Sequence, residues 1–314
     1  RPVGDAMATT IWGTSSSWTL TALPLFVWMG EILFRTKLSE NLFKGLSPWM
    51  QKLPGGLIHV NIVGCALFAA ISGSSAATVA TVGKMSIPEL RKRKYPEKIL
   101  LGSLAGSGTL GLLIPPSIIL IIYGVAVQES IAKLFIAGII PGIMIALIFM
   151  SYVIIWSLIN KKTMPKTLEE YSFIEKIKRS KQLLPVIILI TAVIGSIYTG
   201  IATATEAASL GVLGALILSY FQRSLTVETF ISSLMGATKT SCMIAFILAG
   251  STFLSLAMGF TGLPRNLALW IQNMELSPYV LIFVLMIFYI ILGMFLDGIS
   301  AVVLTMAIIE PMIR

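Results

Sequence analysis

Polar interruptions divide an otherwise apolar chain into blocks of about the length that a helix needs to cross a bilayer. Stretches 7–34, 99–127, 131–159, 183–199, 201–221 and 238–260 predict six spanning segments. Two further stretches, 54–88 and 276–311, are each long enough for two half-membrane legs, and small and polar residues break both near the centre. The breaks read Ser72-Gly73-Ser74-Ser75-Ala76 and Phe295-Leu296-Asp297-Gly298-Ile299-Ser300. Non-helical backbone at membrane depth is tolerated only where it is buried in protein or lines a wet cavity. Each interrupted stretch is therefore read as a re-entrant helical hairpin with its tip at the midplane. Residues 37–52, with Leu42, Phe43, Leu46, Trp49 and Met50 at helical spacing, predict an amphipathic arm before the first hairpin, and 263–274 predict one before the second.

Composition agrees with lipid as the solvent. Of 314 residues 56% are hydrophobic and 12% charged, with mean hydropathy +0.91, whereas a soluble domain carries about 25% charged residues. The net charge of +9 does not point to nucleic acid, because the cations lie in short loops between apolar blocks. Loops 35–52, 84–98 and 161–181, with Arg223 and Lys239, hold 19 of the 23 lysines and arginines. Threading the segments so that these loops share one side makes the first hairpin open inward and the second outward. The short link Gln128-Glu129-Ser130 then falls outside, and the basic stretch 161–181, with interleaved Tyr171, Phe173 and Ile177, is expected to lie on the inner leaflet.

The run Trp49–Pro88 (tryptophan, hairpin, closing proline) is echoed by Trp270–Pro311. Two halves of opposite orientation, each with an interrupted helix, form the inverted-repeat pattern of secondary transporters. The expected organisation is a first scaffold helix and arm (1–53), a transport part with hairpin and broken helix (54–127), and a scaffold helix with a cytoplasmic loop (128–182). Second-half helices and arm (183–275) follow, and then the second hairpin (276–314).

Gly106-Ser107-Gly108-Thr109-Leu110-Gly111 matches the dinucleotide pattern GxGxxG, but that pattern requires a strand before it and a helix after it. Here it lies in an apolar segment ahead of Pro115-Pro116, so it predicts an unwound stretch in a broken helix and no cofactor. The tip Ser72, Gly73, Ser74 and Ser75, with Thr78, facing Gly106, Gly108 and Thr109, could supply neutral oxygens for Na⁺; close helix packing through small residues is the structural alternative. Two ionisable residues sit in apolar stretches, where charge is costly and points to function. Asp297 either caps the second leg, or orients a substrate or influences cation binding; Glu206, beside Thr205, either lies at the outer interface or acts directly. An anionic substrate is expected between the tips, with Ser74, Asp297, Thr205 and Glu206 as candidate contacts. One histidine, His59, builds no metal centre, and Cys65 and Cys242 read as small buried residues. With no paired nucleophile and base, an intramembrane enzyme is disfavoured, and two closed hairpins suit a carrier better than a channel.

Ser72–Ala80, Gly108–Ser117, Thr203–Ala208 and Gly293–Gly298 together resemble the large (M) membrane subunit of tripartite ATP-independent periplasmic (TRAP) transporters. The resemblance implies an elevator-type carrier in the bacterial or archaeal inner membrane, working with a small four-helix Q subunit and a periplasmic binding protein. It implies sodium-coupled import of organic acids such as C4-dicarboxylates or sialic acids. One sodium site would fall at Ser72–Thr78 with Gly106–Gly111 and a second at the Asp297–Ser300 tip, including Gly298 and Ser300. Set against that pattern the chain is expected to be cut at both ends, without a first helix and the second broken helix. A divalent-anion/sodium symporter, which needs no binding protein, is the nearest rival.

Overall fold

The computed structural model describes residues 3–36, 38–165 and 171–313, and among them only helices, turns and loops occur. In chain order the helices are α1 (Val3–Ser15), α2 (Ala22–Phe34), α3 (Leu38–Met50), α4 (Ile58–Ser72) and α5 (Ser75–Lys92). Then follow α6 (Glu97–Gly108), α7 (Ile118–Val127), α8 (Ile131–Ile159), α9 (Phe173–Ser180) and α10 (Leu184–Tyr198). The last five are α11 (Ala204–Phe221), α12 (Val227–Thr261), α13 (Leu263–Gln272), α14 (Pro278–Leu292) and α15 (Gly298–Ile313).

By length and composition α8, α11 and α12 can each cross a membrane, and two bent pairs raise the number of such spans to five. One bent pair corrects the reading of 7–34 as a single helix: the chain turns by 55° between α1 and the 18–34 segment. The reason lies in Gly13-Thr14-Ser15-Ser16-Ser17, whose small and hydroxyl side chains compete for backbone groups, as when Thr14 Oγ1 donates to the Thr10 carbonyl. Helix α12 begins eleven residues before the predicted 238, because Thr226 caps it by accepting from the Thr229 amide at 3.1 Å. Among its described residues the basic stretch 161–181 is helical over α9 and a short 3₁₀ turn at Lys161–Thr163. Its residues 166–170, like Lys37 of the first basic loop, lie outside the described residues.

Helix α2 is the hub, burying eight of its thirteen residues against α4, α11 and α12. Its Trp28 reaches α12, with Nε1 donating to Ser233 Oγ at 3.3 Å and the ring meeting Phe230 edge to face. The outer face of α8 shows the opposite pattern: Ile140, Leu147, Ile148, Tyr152 and Ile155 are all exposed. An apolar helix face of that length has lipid as its natural solvent. Cys65 is buried as expected, but Cys242 lies on the exposed side of α12.

Helices α4 and α5 double back on each other, since Gly64 and Val82, both nine residues from Gly73, face one another across the pair. Their far ends are fastened together by the Leu57 amide, which donates to the Tyr95 hydroxyl at 3.1 Å. Burial pushes the Tyr95 phenol above its ordinary pKa, so it stays protonated at neutral pH. Tyr95→Phe should leave the Leu57 N–H unpaired and cost about 1–3 kcal/mol. Thermal unfolding in detergent and amide exchange at Leu57 check this. Pro88 does not close the hairpin as the repeat suggested; it sits inside α5.

Candidate functional site

The tip of the first hairpin is built by three residues with three different backbone states. Gly73 leaves α4 in the left-handed region (φ 59°), returning its amide to the Ala69 carbonyl, and a side chain there would be strained. Ser74 is extended and caps α5, its Oγ accepting from the Ala77 amide at 3.4 Å. Thr78, fully buried one turn into α5, donates through Oγ1 to the Ser74 carbonyl at 2.7 Å and lies 2.9 Å from Ser72 Oγ. The hydroxyls of Ser72 and Thr78 thus form one local network with the Ser74 backbone, while Ser75 opens the second leg half-buried.

The helix opposite breaks where its hydrogen-bond ladder cannot continue. Pro115 and Pro116 have no N–H, which orphans the carbonyls of Gly111 and Leu112. Ser117 rescues the second, its Oγ donating to the Leu112 carbonyl at 2.5 Å while also capping α7. The Gly111 carbonyl, like those of Ile71 and Ser72 at the end of α4, accepts no hydrogen bond among the described residues. The unwound stretch is therefore 113–117 and not the expected Gly106–Gly111, which is helical through Gly108 and continues as a 3₁₀ turn at Thr109–Leu112. Glycines permit unwinding, but in an apolar setting an intact ladder is kept until the prolines remove its donors. Gly106 packs inside α6 beside Phe149, and Thr109 is exposed, its Oγ1 donating to the Gly106 carbonyl.

Tip and broken helix meet backbone to backbone. The Ile118 amide donates to the Gly73 carbonyl at 3.4 Å, and a Cβ on Gly73 would stand 2.7 Å from the Pro116 carbonyl oxygen. A Cβ on Gly111 would stand 2.9–3.0 Å from the Ser74 carbonyl carbon and oxygen and the Ser75 nitrogen. From the third side, a Cβ on Gly30 of α2 would lie 2.9 Å from Ser72 Cα.

The second tip reaches the same element. Gly298 abuts Leu112 and Ile119, on either side of the break. Asp297 caps α15, its Oδ2 accepting from the amides of Ile299 and Ser300 at 3.2 and 3.3 Å. Its legs are more open than those of the first hairpin: α14 buries no residue, and Tyr289 links it to Thr305 of α15 through hydroxyls 2.7 Å apart. The N-termini of α5, α7 and α15 and the C-terminal ends of α4 and the α6–3₁₀ segment thus gather around 109–119. These are positive and negative dipole ends respectively.

Thr205 and Glu206 stand elsewhere. Glu206 is exposed at the start of α11 in a reciprocal box, its Oε2 accepting from both the amide and Oγ1 of Thr203 at 2.8 Å. Thr203 and Thr205 line a cavity of about 1060 Å³ that also takes in Thr14, Ser17, Glu129 and Ser251. Glu129 is the one ionisable side chain lining it among the described residues, and its walls come from α1, the α7–α8 link, α11, α12 and α15. Sequence reading passed over this cavity, because its hydroxyls belong to segments far apart in the chain. Among the described residues no group of three histidine, cysteine or carboxylate side chains could hold a metal ion.

The family described as "Tripartite ATP-independent periplasmic transporter, DctM component" matches residues 2–314. The C4-dicarboxylate TRAP transporter large permease protein DctM of Pseudomonas aeruginosa is 32% identical over 303 residues, covering 96% of this chain and 70% of that protein. The sialic acid TRAP transporter large permease protein SiaM of Vibrio cholerae is 32% identical over 302 residues, 95% of this chain and 70% of that one. The isethionate TRAP transporter permease protein DctMQ of Oleidesulfovibrio alaskensis is 30% identical over 313 residues, 98% of this chain and 48% of that longer protein. These relatives are transporter permeases and not enzymes. With two hairpin tips seated on one broken helix in an all-helical, lipid-facing molecule, the chain belongs to the DctM component family of TRAP transporters.

Proposed function

We propose that this permease imports organic acids across the inner membrane, coupled to sodium, with substrate delivered by a periplasmic binding protein and with a small four-helix Q subunit as partner. Relatives named for dicarboxylates and sialic acid support the substrate class, and the name DctMQ supports a Q partner. The observation that carries the ion coupling is the seating of Ser72–Ser75 on Gly111–Ile118, where the Ile71, Ser72 and Gly111 carbonyls accept no hydrogen bond from the described residues. Such carbonyls at helix C-terminal ends, with hydroxyls of Ser72, Ser74 and Thr78, suit a singly charged hard cation that needs no carboxylate cage. Sodium there would hold the first tip against the broken helix, and Asp297 with Gly298 and Ser300 would shape the second tip alike. The N-termini of α5, α7 and α15 then offer positive dipole ends to a carboxylate between the tips. The cavity walled by Thr205 serves as the outer approach.

In this reading both hairpins are re-entrant and move as one elevator with α6 and α7. The helices α2, α8 and α10–α12 form the scaffold, braced by the arms α3 and α13. The test replaces Ser72, Ser74 and Thr78 singly with alanine in the full complex and follows uptake against sodium concentration. At least one half-saturation should rise; unchanged sodium dependence in all three would defeat the coupling scheme. A symporter that works alone is disfavoured by the relatives' names, and uptake should fail when the binding protein is withheld.

A further inference from the structure

We propose that α9 is an anchor for anionic phospholipid at the basic face of the membrane, and that Trp49 ties this anchor to the base of the first hairpin. The helix carries Lys176, Lys178 and Arg179, and Lys181 follows as its C-cap. Its carboxylate, Glu175, is committed to the helix start, where its Oε2 accepts from the Ser172 amide at 3.0 Å.

Two stripes run along this helix. Phe173, Lys176 and Ser180 face Trp49: the rings of Phe173 and Trp49 meet edge to face, the Lys176 ammonium lies 5.5 Å from the indole, and Trp49 Nε1 donates to Ser180 Oγ at 2.7 Å. Ile174, Ile177, Lys178 and Lys181, at i, i+3, i+4 and i+7, form the second stripe, and all four are exposed. Isoleucines interleaved with lysines fit a headgroup region: the apolar side chains enter the acyl boundary while lysine stems reach up to the phosphates. The 55° bend between α9 and α10 turns α9 off the axis of the apolar helix that follows. The other basic loops share this face by the charge pattern, and anionic lipid gives an inner leaflet its negative surface potential. Charge complementarity therefore selects anionic phospholipid as the occupant.

The anchor reaches the candidate site through α3. Leu183, just past α9, fills the space that Gly45 leaves open, and α3 lies against both α4 and α5. Lipid held on α9 thereby steadies the hairpin's base, at the end opposite its tip.

The test uses the full chain in nanodiscs of phosphatidylcholine, alone or with phosphatidylglycerol added, and follows amide exchange over residues 173–182. Exchange should slow only in the phosphatidylglycerol discs, and high salt should remove the effect. Lys178→Gln and Lys181→Gln should each reduce the retardation about fivefold. Both leave the Trp49 stripe intact, so thermal unfolding in phosphatidylcholine should stay unchanged. Equal exchange in the two lipids, or a retardation that survives both substitutions together, would overturn the proposal.

Discussion

Gly111→Ala is expected to unseat the first hairpin tip and to lower sodium-driven uptake by the reconstituted complex about 5- to 150-fold, the span that a 1–3 kcal/mol bias between two conformations produces. The new methyl would lie 2.9–3.0 Å from three backbone atoms of Ser74 and Ser75. No rotamer change can relieve a clash with main chain, so either the tip or the broken helix must shift, and overpacking of this kind costs about 1–3 kcal/mol. Gly102→Ala is the matched control: it lies in α6, just ahead of the 3₁₀ turn that holds Gly111, and its Cβ would meet nothing within 4 Å. Uptake and thermal unfolding measured side by side decide the matter. Equal uptake by Gly111→Ala and wild type would mean that contact between tip and broken helix is not needed for transport.

Thr78→Val carries the second large effect. The two side chains have nearly the same shape, but the hydroxyl is fully buried and joins Ser72 Oγ to the Ser74 carbonyl. Its loss removes one hydrogen bond from each partner, while the Ser74 carbonyl keeps the Thr78 amide and Ser72 Oγ as donors, so the cost is that of a single net hydrogen bond, about 0.5–1.5 kcal/mol. If sodium sits at this tip, half-saturating sodium should rise about tenfold, equivalent to ~1.4 kcal/mol. Thr78→Ser keeps the hydroxyl and should behave as wild type. Loss of stability with unchanged sodium dependence in the valine variant would make the network structural only. The two outcomes separate cleanly, because unfolding and half-saturation are read independently.

Much of this was written in the chain itself. Apolar blocks of spanning length fixed lipid as the solvent and helix as the secondary structure, since a backbone in lipid must satisfy its own hydrogen bonds. The cluster Ser72-Gly73-Ser74 located the first tip to the residue, because glycine supplies the left-handed turn and the next serine supplies the cap. The ends of α8 fell where the apolar run 131–159 began and stopped, whereas the capping box of Thr203 and Glu206 that opens α11 became visible only in the structure.

What the linear pattern left open was set by distant partners. Whether Gly106–Gly111 or 113–117 unwinds depends on which carbonyls find donors, and Ser117 and Ile118 decide that by bonding Leu112 and Gly73. The bend before Trp18, the early start of α12 and the hydroxyl-lined cavity are equally invisible to periodicity, because each turns on caps or on side chains brought together from separate helices. Sequence thus determined the solvent, the helices and the hairpin breaks, which are local matters of burial and backbone freedom. Only tertiary structure decided that both tips rest on one proline-broken helix, since that contact is made by backbone across the fold and leaves no spacing in the chain to read.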